Sequence, residues 1–492
     1  MIEQHLSILL VVIPLLAAPI TALLPRPRLA WLLTLLITWS CLLLAVWQLQ
    51  IVLAGNTISY ELGGWAPPWG IEYRIDTLNA FIAVIVAAIA AVTLPYALRS
   101  VEQEIVPRHI PLFYTAFLLC LTGLLGITLT GDIFNLFVFL EISSLSSYAL
   151  ISMGRERQAL TAAFQYLMMG TIGATFLLIG IGLIYSETGT LNMLDLAARL
   201  PSVFEHRTVH TAFAFIMVGV ALKLALFPLH LWLPNAYTYA PTFVTVFLAA
   251  TATKVAIYVM LRMIYTVFSI DFAKDTPINE MFMLLGVIGV LIASVYAIYQ
   301  TNSKRLLAYS SVAQIGYMVL GIGFGSVLGL TATVVHIFNH ALMKAALFMA
   351  VGALIYRVGT SRLQDWNGLG RQMPWTFAAL VIAGLSLIGL PGTAGFISKW
   401  YLVAAAVEQH NWLIAFIILV GSLLAVVYVW KMVEVLFFRD ANTTTVAIRE
   451  APLLLLVPTW FLVLANLYFG FNTELTVDIA LRVATMLVNI TP

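Results

Sequence analysis

The sequence predicts an all-α polytopic membrane protein of about fourteen transmembrane helices, and three observations carry that prediction. The 492 residues are 62% hydrophobic and only 9% charged, whereas a soluble domain carries about 25% charged residues. Apolar runs long enough to cross a bilayer, roughly 20 residues each, recur along the whole chain. Four ionisable residues, Glu141, Lys223, Lys254 and Lys399, lie inside such runs. A charge at mid-bilayer costs at least ~2.5–3.5 kcal/mol on insertion scales, so residues of this kind are rare and usually serve ion or proton movement.

Taken in order, the apolar windows place helices at 6–24, 29–53, 77–98, 110–129, 131–152, 159–186, 209–238, 242–266, 281–301, 304–325, 328–357, 375–405, 411–438 and 452–471. The N-terminal segment lacks the basic region of a cleaved signal peptide, so the first run is expected to be retained as a span. The tail from 472 to 492 is amphipathic and is expected as a short interfacial helix. The longest polar stretches, 54–76 and 187–208, have loop dimensions. Cys41 and Cys120 both lie in apolar runs and offer neither a metal-ligand spacing nor a disulfide framework. A net charge of +2 gives no reason to expect nucleic acid as a partner.

Counting loops alternately, one side carries thirteen basic residues (Arg26, Arg28, Arg99, Arg108, Arg155, Arg157, Lys304, Arg305, Arg357, Arg362, Arg371, Arg439, Arg449). The other carries five: Arg74, Arg199, Arg207, Lys274 and Arg482. The bias predicts both termini on the outer side of the membrane. Six basic residues remain within helices, namely Lys223, Lys254, Arg262, Lys344, Lys399 and Lys431. Arg262, near an outer helix end, is expected to snorkel to the interface. Lys431 and Glu434 are expected to form a local pair along one helix.

Two spans are expected to be broken. KLALFPLHLWLP (223–234) puts Pro228 inside the seventh, and GLPGTAGFISK (389–399) interrupts the twelfth before Lys399. Proline removes a backbone donor and frees carbonyls. Such carbonyls are tolerated at membrane depth only where they line a buried or hydrated cavity. The two broken spans run in opposite directions and lie five helices apart, which predicts an inverted repeat. The expected organisation is 1–109 for helices 1–3, 110–266 and 281–438 for the two five-helix repeats, and 452–492 for helix 14 and the tail.

These segments, with GDIFNLFVFLE (131–141), SKRLLAYSS (303–311) and HIFNHALMK (336–344), resemble the antiporter-like subunits shared by Mrp cation/proton antiporters, respiratory complex I and membrane-bound hydrogenases. The likeness covers roughly residues 110–440 with the motif order kept. Length and the GDIFNLF phrase look most like the D-type Mrp subunits; an equal-length complex I or hydrogenase homologue is the alternative. The resemblance implies fourteen helices with helices 4–8 and 9–13 as inverted repeats. Its implied site residues are Glu141 and Lys223 as an ion pair, Lys254 at the centre, His336, His340 and Lys344 as the connecting segment, and Lys399 as the exit residue. Some complex I subunits have glutamate at that last position, which sets this lysine apart from them. It also implies a bacterial inner-membrane complex of several subunits that moves protons and sodium or potassium.

Read as chemistry, burial disfavours the charge on Lys223 while Glu141 supports it. Removing that support would drive a proton onward to Lys254 and then to Lys399. The rival reading is a buried pair that only orients two helices, although such pairs stabilise poorly relative to apolar packing. Bridging hydroxyls and amides would be drawn from Ser143, Ser144, Ser146, Ser147, Thr251, Thr253, Ser310, Ser311 and Asn339, each of which is also ordinary membrane-helix glue. His336, His340 and Lys344 fall on one helical face, where imidazoles suit proton conduction better than a metal site lacking carboxylates. His230 either joins the relay or caps carbonyls freed by Pro228. Asp132 is expected to cap the fifth helix. No Gly-rich phosphate loop, Cys cluster or catalytic triad appears, so a transporter subunit without cofactor or metal is expected rather than an enzyme.

Overall fold

The computed structural model describes residues 2–440 and 448–489, with side chains from His5 onward. Two outer helices, α1 (Ile2–Leu23) and α2 (Pro27–Leu53), lead into an antiparallel hairpin of β1 (Ile58–Glu61) and β2 (Glu72–Ile75). This hairpin fills the first predicted polar stretch. Helix α3 (Thr77–Glu104) starts in a reciprocal cap. The Asp76 carboxylate accepts from the Leu78 and Asn79 amides, and Asn79 accepts from the Asp76 amide at 2.7 Å. The chain continues through α4 (Ile110–Leu129), α5 (Ile133–Ser152), α6 (Gln158–Thr188) and a short α7 (Met193–Arg199) in the second polar stretch. Asp132 caps α5 as expected, accepting from the Asn135 amide at 2.7 Å.

Next come α8 (Arg207–Leu224), α9 (Trp232–Tyr239), α10 (Thr242–Leu261), a short α11 (Ser269–Asp275), α12 (Ile278–Tyr299) and α13 (Ser303–Gly323). The longest helix, α14 (Val327–Val358), precedes α15 (Pro374–Ile388), α16 (Ala394–Glu408), α17 (Trp412–Val433), α18 (Leu453–Phe471) and α19 (Glu474–Asn489). Thirteen helices among the described residues are long and apolar enough to cross a membrane. The fifteen-residue helices α15 and α16 on either side of the break at 389–393 read together as the interrupted crossing expected there. The other expected interruption separates α8 from α9. The chain is therefore a multi-pass all-α membrane protein.

Burial sorts the helices into an inner and an outer set. The most apolar window of α13 is 100% buried and that of α10 together with its C-terminal extension 89%, against 28% for α2 and 39% for α6, α12 and α17. Apolar surface alone cannot drive this sorting, because lipid is as apolar as leucine; close backbone approach and polar contacts decide it. Two small-residue seams show the first factor. A Cβ on Gly219 of α8 would meet the Gly173 carbonyl of α6 at 2.7 Å, and one on Gly316 of α13 would meet the Gly286 carbonyl of α12 at 2.8 Å. The second factor is the buried polar set on α10, α13 and α14, which includes Lys254, Ser310, Gln314, His336, Asn339, His340 and Lys344. Helix α14 runs through the middle, packed on α3, α10, α13, α15, α16, α18 and α19.

The tail departs from expectation. Residues 474–489 form a helix, but α19 buries Thr476, Ile479, Ala480, Val483, Ala484 and Leu487 against the bundle, chiefly on α14. Its apolar face is covered by protein, which an amphipathic pattern cannot distinguish from a face covered by lipid headgroups. The last three residues of the predicted tail lie outside the described residues.

Candidate functional site: a row of buried ionisable side chains

The row begins at the first interruption. Lys223 stands on the last turn of α8, and Ala225 adopts a left-handed conformation (φ 59°) that ends the helix. The Lys223 ammonium lies 3.2 Å from the Glu141 carboxylate of α5 and donates to the Ser144 hydroxyl at 2.7 Å. Helical spacing explains the three-way contact, since Glu141 and Ser144 are one turn apart on α5. The lysine side chain is 6% exposed and the glutamate 26%, so the pair sits at the edge of the inner set with the acid on its open side. Below it a cavity of 40 Å³, lined by Ser143, Ser144, Ser147, Lys223 and the α10 residues Ala252, Val255 and Ala256, leads from Lys223 to the helix that carries Lys254. That volume holds roughly one to three waters.

Lys254 is wholly buried at the middle of α10. Its ammonium donates to the Ala249 carbonyl and lies 3.4 Å from the Thr253 hydroxyl of its own helix. No carboxylate pairs with it among the described residues. On α14, the His336 and His340 rings lie parallel (6°) with centroids 5.8 Å apart. His336 Nδ1 shares a 2.7 Å hydrogen bond with the Ser398 hydroxyl of α16. His336 Nε2 and both nitrogens of His340 are buried with no partner among the described residues. Lys344 donates to the Leu307 carbonyl at 2.8 Å and to the Ser310 hydroxyl of α13.

The row ends at the second interruption. Gly389 ends α15 with φ 91°, open to glycine at no steric cost. Lys399 of α16 reaches back to the Leu387 and Ile388 carbonyls at 3.1 and 2.8 Å, and to the Ser422 hydroxyl of α17 at 3.0 Å. Its ammonium also sits 4.9 Å from the centre of the Tyr317 ring. Lys399 is thus held by the negative end of α15 rather than by an acid.

Several expectations are refined or overturned by partners distant in sequence. Ser143, Ser146, Ser147, Thr251 and Ser311 donate to carbonyls three or four residues back on their own helices, the glue reading; of the expected serines, Ser144 and Ser310 meet lysines, and Ser310 also donates to the Leu307 carbonyl of its own helix. Asn339 donates to the Ala394 carbonyl at the start of α16. At the first interruption the Leu222 carbonyl is capped by the Trp232 indole N–H at 2.9 Å, a residue the sequence reading did not single out. The Trp232 ring stacks on Tyr166 with centroids 3.8 Å apart. His230 instead stacks against Phe227, with Nδ1 unpartnered among the described residues.

Arg262 does not snorkel. It is buried and ion-paired with Asp76, because a carboxylate from the α3 cap meets it at the bundle edge. Lys431 does not pair with Glu434. It donates to the Ile298 and Gln300 carbonyls at the end of α12 (2.8 and 2.9 Å), and Glu434 pairs with Arg439 at 3.0 Å.

Comparison with known proteins agrees with this architecture. Residues 130–425 match the family profile described as NADH:quinone oxidoreductase/Mrp antiporter, TM. The chain is 43% identical over 436 residues to the N-type subunit of the NADH-quinone oxidoreductase of Desulforudis audaxviator, covering 87% of this chain and 86% of that protein. It is 30% identical over 449 residues to the D-type subunit of the Na(+)/H(+) antiporter of Alkalihalophilus pseudofirmus, covering 91% and 90%. A chain of the Mrp complex from Dietzia sp. DQ12-45-1b superposes with a TM-score of 0.91 at 26% identity, covering 100% of this chain and 98% of that one. The chain belongs to the transmembrane family shared by NADH:quinone oxidoreductase and Mrp antiporter subunits, with D-type Mrp subunits among its relatives.

Proposed function

We propose that this chain is the proton-translocating subunit of a multisubunit monovalent cation/proton antiporter of the bacterial inner membrane, with both termini outward. The observation that carries the reading is Lys223, shared between Glu141 and Ser144 at one end of a small cavity that leads to α10. A carboxylate beside a buried lysine favours its charged form, and its loss weakens that form. When Glu141 is neutralised or drawn away, the Lys223 proton passes through cavity water to Lys254. The imidazoles of His340 and His336, Ser398 and finally Lys399 continue the path, with Lys344 and His230 as flanking members. The two halves, 110–266 and 281–438, act as inverted five-helix units, each with its lysine at a helix interruption. Sodium or potassium moves in exchange, with neighbouring subunits completing the complex.

The test is exchange in vesicles that hold the whole complex. Glu141→Ala or Lys223→Ala is expected to lower cation-driven proton movement at least tenfold while the complex still assembles. Exchange at the wild-type rate in an assembled variant removes the pair from the mechanism.

A second reading is favoured by the 43% identity to an NADH-quinone oxidoreductase subunit: a proton-pumping membrane arm of an NADH:quinone oxidoreductase-like or hydrogenase-like enzyme. The row of side chains serves either machine. Co-purifying chains separate them, since iron–sulfur, flavin or nickel subunits in the complex decide for the redox enzyme.

A further inference from the structure

Beyond Leu261, α10 continues as a π-helix over Arg262–Val267. Lys254, Tyr258 and Arg262 are spaced four apart and share one face of the helix. Arg262 is buried, and its guanidinium is fixed from several sides. It meets the Asp76 carboxylate, the Thr266 and Tyr258 hydroxyls at 3.3 Å each, and lies over the Tyr258 ring at 5.4 Å. Asp76 is itself committed to the first amides of α3, and the Tyr258 hydroxyl donates to the Thr128 carbonyl of α4 at 2.9 Å.

This assembly forms the wall of a 220 Å³ cavity beside the hairpin. Arg74, Asp76, Tyr258 and Arg262 line it, and the exposed residues Thr57 and Leu194 stand at its rim. A buried ion pair stabilises less than apolar packing of similar volume. The pair therefore makes little sense as mere glue between α3 and α10. A guanidinium does not lose its proton, so it is a permanent positive charge, unlike a lysine. The wall carries the guanidinium groups of Arg74 and Arg262 against the single carboxylate of Asp76, and such an excess of fixed positive charge turns cations away while leaving room for hydroxyls and water.

We propose that this cavity is an aqueous port serving Lys254, and that Arg262, pinned by Asp76, bars sodium and potassium from it. The port rests on the reading of Lys254 as a relay member and adds a route off the row at α10, separate from Lys399. Protons reach or leave Lys254, two helical turns below the guanidinium, past the Tyr258 hydroxyl, whereas a metal cation meets the guanidinium first.

The test uses the assembled complex carrying Ala197→Cys, a small wall residue that bonds to none of these groups. The native Cys41 and Cys120 are buried, so unsubstituted complex is the labelling blank. An anionic methanethiosulfonate is expected to react at least tenfold faster than its trimethylammonium counterpart, and Arg262→Gln is expected to bring the ratio within threefold. A bulky neutral adduct at the same cysteine is expected to slow coupled exchange at least tenfold. Arg262→Gln vesicles are expected to leak sodium at least tenfold faster than wild type. Equal labelling rates with Arg262 in place, or an Arg262→Gln complex as tight as wild type, overturn the barring role. Full exchange after complete modification overturns the port. Labelling and leak need no coupled exchange, so they still read the cavity if Lys254→Ala leaves exchange intact, the separate result that would overturn the relay.

Discussion

The two interrupted crossings begin from the same backbone defect and use it differently. At the end of α8, the Leu222 carbonyl accepts the Ala225 amide at 3.2 Å and a neutral side-chain donor, the Trp232 indole, at 2.9 Å, and Lys223 is left to pair with Glu141 and Ser144. At the end of α15, Lys399 itself takes the Leu387 and Ile388 carbonyls, and among the described residues no indole intervenes and no acid touches it. A carboxylate partner can be switched by protonation or by a small displacement, whereas carbonyls at a helix end hold a constant partial charge. Under the proposed relay, the first interruption would change the state of its lysine and the second would hold its lysine ready. That asymmetry fits the direction the family resemblance implies, from Lys223 toward Lys399.

The sharpest way to break the comparison is to remove each lysine in turn. Lys399→Met deletes the only ammonium at the second interruption and leaves two carbonyls and the Ser422 hydroxyl facing an apolar chain. Exchange is expected to fall at least tenfold, with assembly weakened because buried acceptors are stranded at about 1–3 kcal/mol each. Lys399→Glu puts an acid against the negative end of α15 and is expected to be as inactive. Exchange equal to wild type in an assembled Lys399→Met complex would show that the row does not pass through the second interruption.

An intermediate effect is expected from Trp232→Phe. The ring keeps its stack on Tyr166, but the Leu222 carbonyl loses its side-chain donor and keeps only the Ala225 amide at 3.2 Å. The vacated lone pair is then open to Lys223, the adjacent residue, which would make the first interruption resemble the second. A three- to tenfold loss of exchange is expected, with a destabilisation of about 1 kcal/mol from the lost hydrogen bond. Thermal unfolding of the complex beside vesicle exchange would separate the two contributions. Unchanged exchange with lowered stability would make Trp232 a structural cap only.

How far the sequence disclosed this arrangement follows the range of the interactions involved. Spans, interruptions and intramembrane charges were legible because each is a local signal of length, Pro or Gly, or an ionisable residue in an apolar run. The Glu141–Lys223 contact came from family resemblance, not from spacing, since the partners are 82 residues apart. Arg262 and Asp76 are 186 apart, and Lys431 meets carbonyls 131 and 133 positions away, so local rules assigned both to the wrong surroundings. Trp232 carried no local mark of its role, because indoles serve lipid headgroups and buried carbonyls with the same N–H. The amphipathic tail failed for a similar reason. A hydrophobic stripe states that something covers it and not what does.

The smallest expected effect tests the second interruption by its hydroxyl. Ser422 supplies the third of three oxygens around the Lys399 ammonium, and it is the one that does not belong to the end of α15. If carbonyl charge holds Lys399 in readiness, Ser422→Ala should leave the two carbonyl contacts intact and lower exchange no more than about threefold, in line with ~0.6 kcal/mol, the low end for one hydrogen bond. Ser144→Ala at the first interruption removes the same kind of partner from Lys223, but there the remaining contact is the switchable acid, so its loss should exceed that of Ser422→Ala. Parallel exchange assays on the two alanine variants measure the contrast directly. Equal losses would mean that both lysines are held alike, and the asymmetry between the interruptions would then carry no functional weight.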